Sequence, residues 1–465
     1  MMSMRGRGTG NGGRKGQYFG MLSRVIWRRR HLALGLPLLL ALGAQAARAQ
    51  LPIPVPASIP VTALADSGVL APAISADSAR PRLWDIEVEA HASRARVTYF
   101  VSVFSGRVKQ AFEKGLSRQT RYASLISDRL RASGLPQDLT YLAFVESWYN
   151  PDAYSKAAAV GMWQFMARTA KGVGLRVDWW VDERRDPVRS TEGAVRLLSS
   201  LHGEFGSLFL AAAAYNGGSG RVSRGMTQFA RRVDAAEGED KFFALSDTRY
   251  LRPETRDYVP KIIAAALVAK QPERYGLVVD SLPTFAFDSV YVGGGVPLAA
   301  IALGASVPVD SIEDLNTHIL RGLTPPGDSM WVRVPAGMAD GFAERFSALD
   351  SADRVGLTSV RSKTGESITS IARKHKLTAK QLNWYNPKAT RLKSGNLVPG
   401  QPILVPTRAV VSAARDVPNP SVERYPRRSR SRPPVRPAAR AGASAPPKAP
   451  PKSPAKAPAK AATKR

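Results

Sequence analysis

Two stretches of this chain repeat one another. Leu298, Ile301, Ala302, Val307, Ile312 and Asn316 are matched in order by Ile368, Ile371, Ala372, Leu377, Leu382 and Asn386, each pair 70 residues apart. Each copy closes on Val-Pro, at Val334-Pro335 and Val405-Pro406, and each is preceded by a short strand pattern, 289–292 and 359–362. A repeat of that content is one supersecondary unit used twice: strand, helix, turn, helix, strand. It predicts two small α+β modules, at 285–345 and 357–407, rather than one larger domain.

The chain before the repeat has another texture. Val97, Phe100, Val101, Phe104, Val108 and Phe112 recur at steps of three or four, the spacing of one buried helical face. Tyr122, Leu125, Ile126 and Leu130 continue it. Gly134-Leu135-Pro136 stops one helix and starts the next, expected over 137–148 and ended by Asn150-Pro151. Further helices are expected at 161–173, 190–203, 208–215 and 254–270. With few strand patterns before about residue 275, the front half reads as mostly helical, and the fold class as α+β.

The formal charge of +30 sits mainly at the ends: residues 1–50 carry nine Lys/Arg and residues 424–465 thirteen, neither with an acid. The middle is therefore only mildly basic, and the high pI reports two tails rather than a nucleic-acid surface. Arg28-Arg29-Arg30, the apolar run 32–42 and Ala47-Arg48-Ala49 have the order of an export signal, placed at 1–49. An uncleaved anchor is the alternative, though the run is short for a membrane span. A linker rich in Pro, Ala and Ser follows at 50–83. The Pro/Ala/Lys/Arg tail at 408–465 cannot bury enough apolar area to offset chain entropy and is expected to be disordered. The chain has no cysteine and five scattered histidines, which leaves no disulfide, thiol nucleophile, lipid-bearing cysteine or metal-ligand spacing.

One carboxylate is out of place. Residues 139–154 read LTYLAFVESWYNPDAY, with Glu146 amid Leu139, Leu142, Ala143, Val145, Trp148 and Tyr149. Such surroundings strip hydration from a carboxyl and raise its pKa, which keeps an acid protonated near neutrality for donation to a leaving group. Asp152, Asp182, Glu183 and Asp186 are nearby in sequence, the last three in the arginine-crowded VDERRDP. None of them has an apolar setting. Six aromatic residues, Trp148, Tyr149, Tyr154, Trp163, Trp179 and Trp180, suit the flat faces of sugars or a core.

Glu146 is followed by NPDAYSKAAAVGMWQFM, then by AAAAYNGGSGRV, then by ETRDYVPKI. In this order and spacing the four motifs resemble the lytic transglycosylases of the lysozyme superfamily, especially the membrane-bound murein transglycosylase D branch. The resemblance covers about 95–277, and the domain is placed at 84–277. It implies a lysozyme-like fold with Glu146 as the single catalytic acid and later base. Ser155 would lie in the sugar cleft, and Gly161, Met162, Trp163 and Gln164 would line its floor. Tyr215 and Asn216 would hold the glutamate, and Tyr258 would close the site. Met162 and Trp163 could equally be core, as could Tyr215. The family's usual glycine is replaced here by Ala158.

The second repeat copy resembles a LysM module, a βααβ unit that binds N-acetylglucosamine-containing glycans. Its groove would involve Thr364, Gly365, Glu366, Ser367 and Ile368 on one side and Trp384 to Pro387, with Asn386 and Pro387, on the other. The first copy lacks that entry motif and reads as a degenerate module that packs or spaces. The expected partner is peptidoglycan, with anionic envelope polymers as a possible partner of the basic tail and no nucleic acid. No cofactor or metal is implied. The expected location is the periplasm or envelope of a Gram-negative-type bacterium. The expected activity is cleavage of the bond between N-acetylmuramic acid and N-acetylglucosamine with a 1,6-anhydro product. A hydrolytic muramidase and a non-catalytic wall-binding scaffold are the alternatives.

Overall fold

The apolar stripe from Val97 to Phe112 winds into α1 (Ala95–Ser102), a wider π-helical stretch (Val103–Arg107) and α2 (Lys109–Ala132). The structure is a computed structural model that describes residues 84–423. The export signal, the linker and the basic tail from 424 onward lie outside the described residues.

The helical domain continues through α3 (Thr140–Ser147), α4 (Ala167–Gly172), α5 (Pro187–Phe205) and α6 (Leu208–Gly217). Then come α7 (Ser219–Gln228), α8 (Ala230–Asp234), α9 (Asp240–Asp247) and α10 (Pro253–Ala269). Helix α5 begins where the Asp186 carboxylate accepts from the N–H groups of Val188 and Arg189, satisfying donors that a helix start leaves open. It ends at left-handed Gly206, and Ser207 caps α6 through the Leu210 N–H. Alanines 211–214 and 264–266 are buried, so α6 and α10 pack closely, and α3 lies on α10 and α2. This places Glu146 on α3 beside Tyr258 on α10.

Two expected helices differ in their ends. The helix over 137–148 is a 3-10 turn (Gln137–Leu139) followed by α3, and it stops before the proline. Trp148 and Tyr149 both take left-handed backbone, φ 57° and 55°. A side chain in that conformation costs about 1–2 kcal/mol. The turn is held by Arg118, whose Nε donates to the Trp148 carbonyl at 2.7 Å, and by the Tyr149 hydroxyl bonded to Thr140. The helix expected at 161–173 is only α4. Gly161 (φ 83°) and Gln164 (φ 48°) turn left-handed and make the preceding residues a loop.

The repeat folds as the sequence predicts. β1 (Phe287–Val292) precedes α11 (Leu298–Ala305), α12 (Val309–Leu315) and β2 (Met330–Pro335), with short helices α13 (Phe342–Ala348) and α14 (Ser351–Arg354) after them. The second copy is β3 (Leu357–Arg361), α15 (Ile368–Lys374), α16 (Ala379–Tyr385) and β4 (Pro402–Pro406), followed by α17 (Arg408–Ser412). Each pair of strands is antiparallel, with Tyr291 opposite Trp331 and Arg361 opposite Pro402. The shared asparagine explains itself. Asn316 Nδ2 donates to the carbonyls of Ile312 (2.8 Å) and Arg333 (2.7 Å) while its Oδ1 accepts the Arg333 N–H at 2.9 Å. Asn386 does the same with Leu382, Leu404 and the Leu404 N–H. One amide thus ties the second helix to the last strand in both copies.

The first module is welded to the helical domain. Ile319 forms a β-bridge with Val181, with Asp182 N–H donating to the His318 carbonyl (3.0 Å) and Leu320 N–H to that of Trp180 (2.9 Å). Arg333 grips the Asp186 carboxylate with contacts of 2.9 and 2.8 Å. The second module joins through Trp384 and Tyr385, which pack with Leu323 and Val410 against Trp179 and Trp180. Arg321 lies fully buried in this joint, 4.1 Å over the Trp179 ring and 5.5 Å over that of Trp384. The segment from 408 to 423, which the sequence assigned to a disordered tail, is ordered: after α17 it runs back along the helical domain as a strap. Its apolar anchor Val410 and its hydrogen-bonded backbone are what the composition of the whole tail conceals.

Candidate active site

The Glu146 carboxylate lies half-buried near the end of α3, and its Oε1 accepts a hydrogen bond of 2.7 Å from the Tyr258 hydroxyl. Burial lifts its pKa from the usual 4.5 to about 7. The Tyr258 hydrogen bond opposes that rise, Glu254 adds to it and Lys261 reduces it. Both tyrosine hydroxyls near the carboxylate, Tyr258 and Tyr215, are driven well above their ordinary pKa by burial and then by the Glu146 charge. They remain neutral donors.

Tyr215 does not hold the glutamate directly. Its hydroxyl donates to the Trp163 carbonyl at 2.7 Å. Asn216 does not either; its Oδ1 accepts from Thr255 at 2.9 Å. The Ser147 hydroxyl, next to the glutamate in sequence, donates to the Met162 carbonyl at 2.8 Å. These bonds fix the backbone of the 161–164 loop against the ends of α3 and α6. The side chains of Met162 and Trp163 point into the core and are fully buried, with Trp163 Nε1 on Thr191 Oγ1 at 3.0 Å. Their side chains therefore do not line a cleft floor, contrary to what the resemblance implies. Gln164 is partly exposed and bonds the Gly161 carbonyl at 2.8 Å. Ser155 is partly exposed, with its Oγ accepting the Ala159 N–H at 2.9 Å. Of the six aromatic residues, Tyr149 and Trp163 are core, and Trp179 and Trp180 serve the module joint.

No acid of the VDERRDP loop faces Glu146. Asp182 and Asp186 are in fact more buried than the glutamate, but each is neutralised by an arginine, Arg184 and Arg333. Burial raises the Asp186 pKa, yet Arg333 and His318 outweigh it and leave the group below its ordinary value. Glu183 pairs with Arg189, and Asp152 with Arg185 and Arg415.

Ala158 stands at φ 66° with its side chain buried. Left-handed backbone penalises a methyl by about 1 kcal/mol, part of which glycine returns through its freer unfolded chain. Ala158→Gly is expected to raise the melting temperature by about 2 °C, as read by thermal unfolding.

In the second module Thr364, Gly365 and Pro387 are exposed. Glu366 is tied to the Lys363 N–H and to Lys374. Ser367 caps α15 in a reciprocal pair with Ser370, and Ile368 is core. Asn386 is committed to β4. The groove residues assigned from sequence therefore divide: the exposed three are free to meet a ligand, whereas Ser367, Ile368 and Asn386 build the module. Trp384, 9% exposed, is covered by the helical domain.

Residues 125–236 match the transglycosylase SLT domain family, residues 286–351 the LysM-like domain of lytic transglycosylase MltD, and residues 363–406 the LysM domain family. The membrane-bound lytic murein transglycosylase D of Escherichia coli (strain K12) is 31% identical over 306 residues, covering 62% of this chain and 64% of the relative. The chain is similar to the lytic murein transglycosylase D family over these residues. It spans a little under two thirds of that curated relative. The peptidoglycan transglycosylase gp16 of Escherichia phage T7 is 33% identical over 160 residues, 33% of this chain and 11% of the phage protein. The lytic transglycosylase Slt of Pseudomonas aeruginosa, solved as an inactive E503Q mutant, is 24% identical over 34% of this chain and 25% of its own, with a TM-score of 0.27.

The site residues that the sequence leaves unmarked are those that act on backbone. Arg118, Ser147 and Arg184 each bond main-chain carbonyls around Glu146. Only the arginine content of VDERRDP hinted at one of them.

Proposed function

We propose that this chain is a peptidoglycan lytic transglycosylase. It cleaves the β-1,4 bond from N-acetylmuramic acid to N-acetylglucosamine and leaves a 1,6-anhydromuramic end, gripping the wall through its second module. The observation that carries this reading is the carboxyl of Glu146, raised to about 7 and bonded by Tyr258, with every acid of the nearby VDERRDP loop neutralised by arginine and the remaining neighbour, Glu254, exposed to solvent at the start of α10. Two-carboxylate hydrolysis needs a second free acid across the bond. A single acid suffices when the nucleophile belongs to the substrate.

The steps follow from that placement. Protonated Glu146 gives its proton to the glycosidic oxygen as the bond to C1 breaks. The 2-acetamido group of the muramic sugar stabilises the cation developing at C1. The Glu146 carboxylate then takes the proton from the C6 hydroxyl of the same sugar as that oxygen bonds C1. One residue is acid and then base, so a pKa near the working pH serves both halves. Tyr258 helps the first role by stabilising the carboxylate left when the proton is given. The similarity to membrane-bound lytic murein transglycosylase D and the module content support an envelope location. Export through the 1–49 segment belongs to this proposal as well.

Mass spectrometry of digested peptidoglycan tests it. Anhydro ends, lighter by one water than reducing ends, are expected; reducing ends would make the enzyme a muramidase, and no release would make it a scaffold. The pH profile gives a second check. The rate constant kcat/KM should fall as pH rises through about 7, where free Glu146 loses its proton. Since the Tyr258 hydroxyl stabilises the carboxylate, Tyr258→Phe removes a bond that lowers the pKa. The falling limb should move about one pH unit higher, the size of a hydrogen bond to a charged group.

A further inference from the structure

Arg184 is 1% exposed and uses all five of its N–H donors. Nε and Nη2 hold the Asp182 carboxylate at 2.8 and 2.9 Å. Nη1 donates to the carbonyls of Ala158 and Phe165, both at 3.2 Å. The remaining N–H of Nη2 donates to the Pro420 carbonyl at 3.0 Å. The same residue touches the loop a third time: a Cβ on Gly161 would fall 1.7 Å from the Arg184 carbonyl oxygen. One side chain and its own peptide therefore fasten both ends and the middle of the 158–165 loop. That loop in turn receives Ser147 from the glutamate's helix and Tyr215 from α6.

Pro420 belongs to the strap that leaves the second module after α17. The strap is anchored along its length. Arg415 N–H donates to the Leu320 carbonyl at 2.8 Å, and its guanidinium meets Asp152 at 2.6 Å, where Arg185 also binds. The Ser421 hydroxyl donates to the Val177 carbonyl at 3.3 Å, and Glu423 accepts the Arg168 N–H at 2.7 Å. None of residues 413–423 falls in a matched family region, which ends at 406.

We propose that the strap, 413–423, is a positioning element of the Glu146 site: its Pro420 carbonyl completes Arg184, and Arg184 sets the 158–165 loop on which the glutamate's neighbours rest. The module that grips the wall and the loop beneath the cleft are thereby joined by one continuous piece of chain. Loss of the strap leaves a buried guanidinium with an open donor and frees one wall of the loop. A small displacement of a catalytic constellation costs rate far more than it costs binding.

The inference rests on the proposed transglycosylase activity, and the experiment separates the two. Three forms are compared on purified peptidoglycan well below their melting temperatures: the full chain, the chain ended after Glu423, and the chain ended after Asp416. Release of anhydro ends gives kcat and KM; binding of a chitooligosaccharide gives the state of the second module. The form ended after Glu423 should match the full chain. The form ended after Asp416 should lose about tenfold or more in kcat, with KM and chitooligosaccharide affinity within about twofold of the parent. Equal kcat in all three folded forms overturns the inference alone. A full chain that releases no sugar ends overturns the functional reading and this inference with it. Should the form ended after Asp416 fail to fold, Arg184→Lys in the full chain decides. Its three donors cannot span two carbonyls, Asp182 and Pro420, so kcat should fall by a similar factor with KM unchanged, and parent-like kcat overturns the inference.

Discussion

Glu146→Gln should lower anhydro-end release by on the order of 10³-fold or more, because one residue supplies both proton transfers and each is worth roughly 10²–10⁴. Glutamine keeps the shape and can still accept from Tyr258, so peptidoglycan binding should stay near that of the parent. The same change should stabilise the fold at alkaline pH. Glu146 has its pKa raised from 4.5 to about 7, so between those values the folded state binds more protons than the unfolded state. Stability therefore falls as pH rises through that window. Below about 4.5 both states are protonated and the penalty vanishes; above about 7 it is complete. The penalty is about 2 kcal/mol at pH 8 after allowance for partial exposure. Thermal unfolding of the two proteins at pH 4 and pH 8 checks this. The variant should melt higher at pH 8 and alike at pH 4. A variant that still releases anhydro ends at the parental rate would remove Glu146 from the acid role.

Gly161→Ala should be the most damaging single methyl in the site. The position has φ 83°, and the added carbon would lie 1.7 Å from the Arg184 carbonyl oxygen and 2.7 Å from its carbon. Backbone must move on one side or the other. The left-handed penalty of about 1–2 kcal/mol adds to the loss of Arg184 contacts, for a total of about 4 kcal/mol. In a domain of this size that lowers the melting temperature by about 10 °C. Rate should fall with it, since the Met162 and Trp163 carbonyls sit on the displaced loop. Gly172→Ala, at the end of α4 with nothing within 4 Å, is the control and should melt within about 2 °C of the parent.

What was legible in the sequence follows from what side chains reveal. Glu146 stood out because a charge among Leu, Ala and aromatic neighbours must lose hydration, and the structure shows that loss as a raised pKa. The repeat was legible because two cores of the same size need the same apolar positions. The helix expected at 161–173 shortens to α4; Met162, Trp163, Phe165 and Ala170 satisfy an apolar count, while glycine's left-handed turn leaves no mark on that count. Asn386 is expected in the groove, yet its partners are peptide groups of β4, which no pattern of residue types exposes. Arg184 escaped for the same reason, its acceptors being three carbonyls and one aspartate. The strap is hard to see in the sequence because its few anchoring residues precede a long Pro- and Lys-rich stretch that dominates the composition.

The joint between the modules has one more consequence. Trp179, Trp180, Trp384 and Tyr385 pack around Arg321, whose guanidinium also donates to the Arg415 carbonyl of the strap at 3.0 Å. A grip mounted on a flexible tether would let the blade sweep a wide sector of the wall. Mounted on this joint it works as a ruler: for the proposed enzyme, the sugar that is held and the bond that is cut stand a set distance apart. The length of the fragments released should then carry a periodicity that belongs to the protein rather than to the wall.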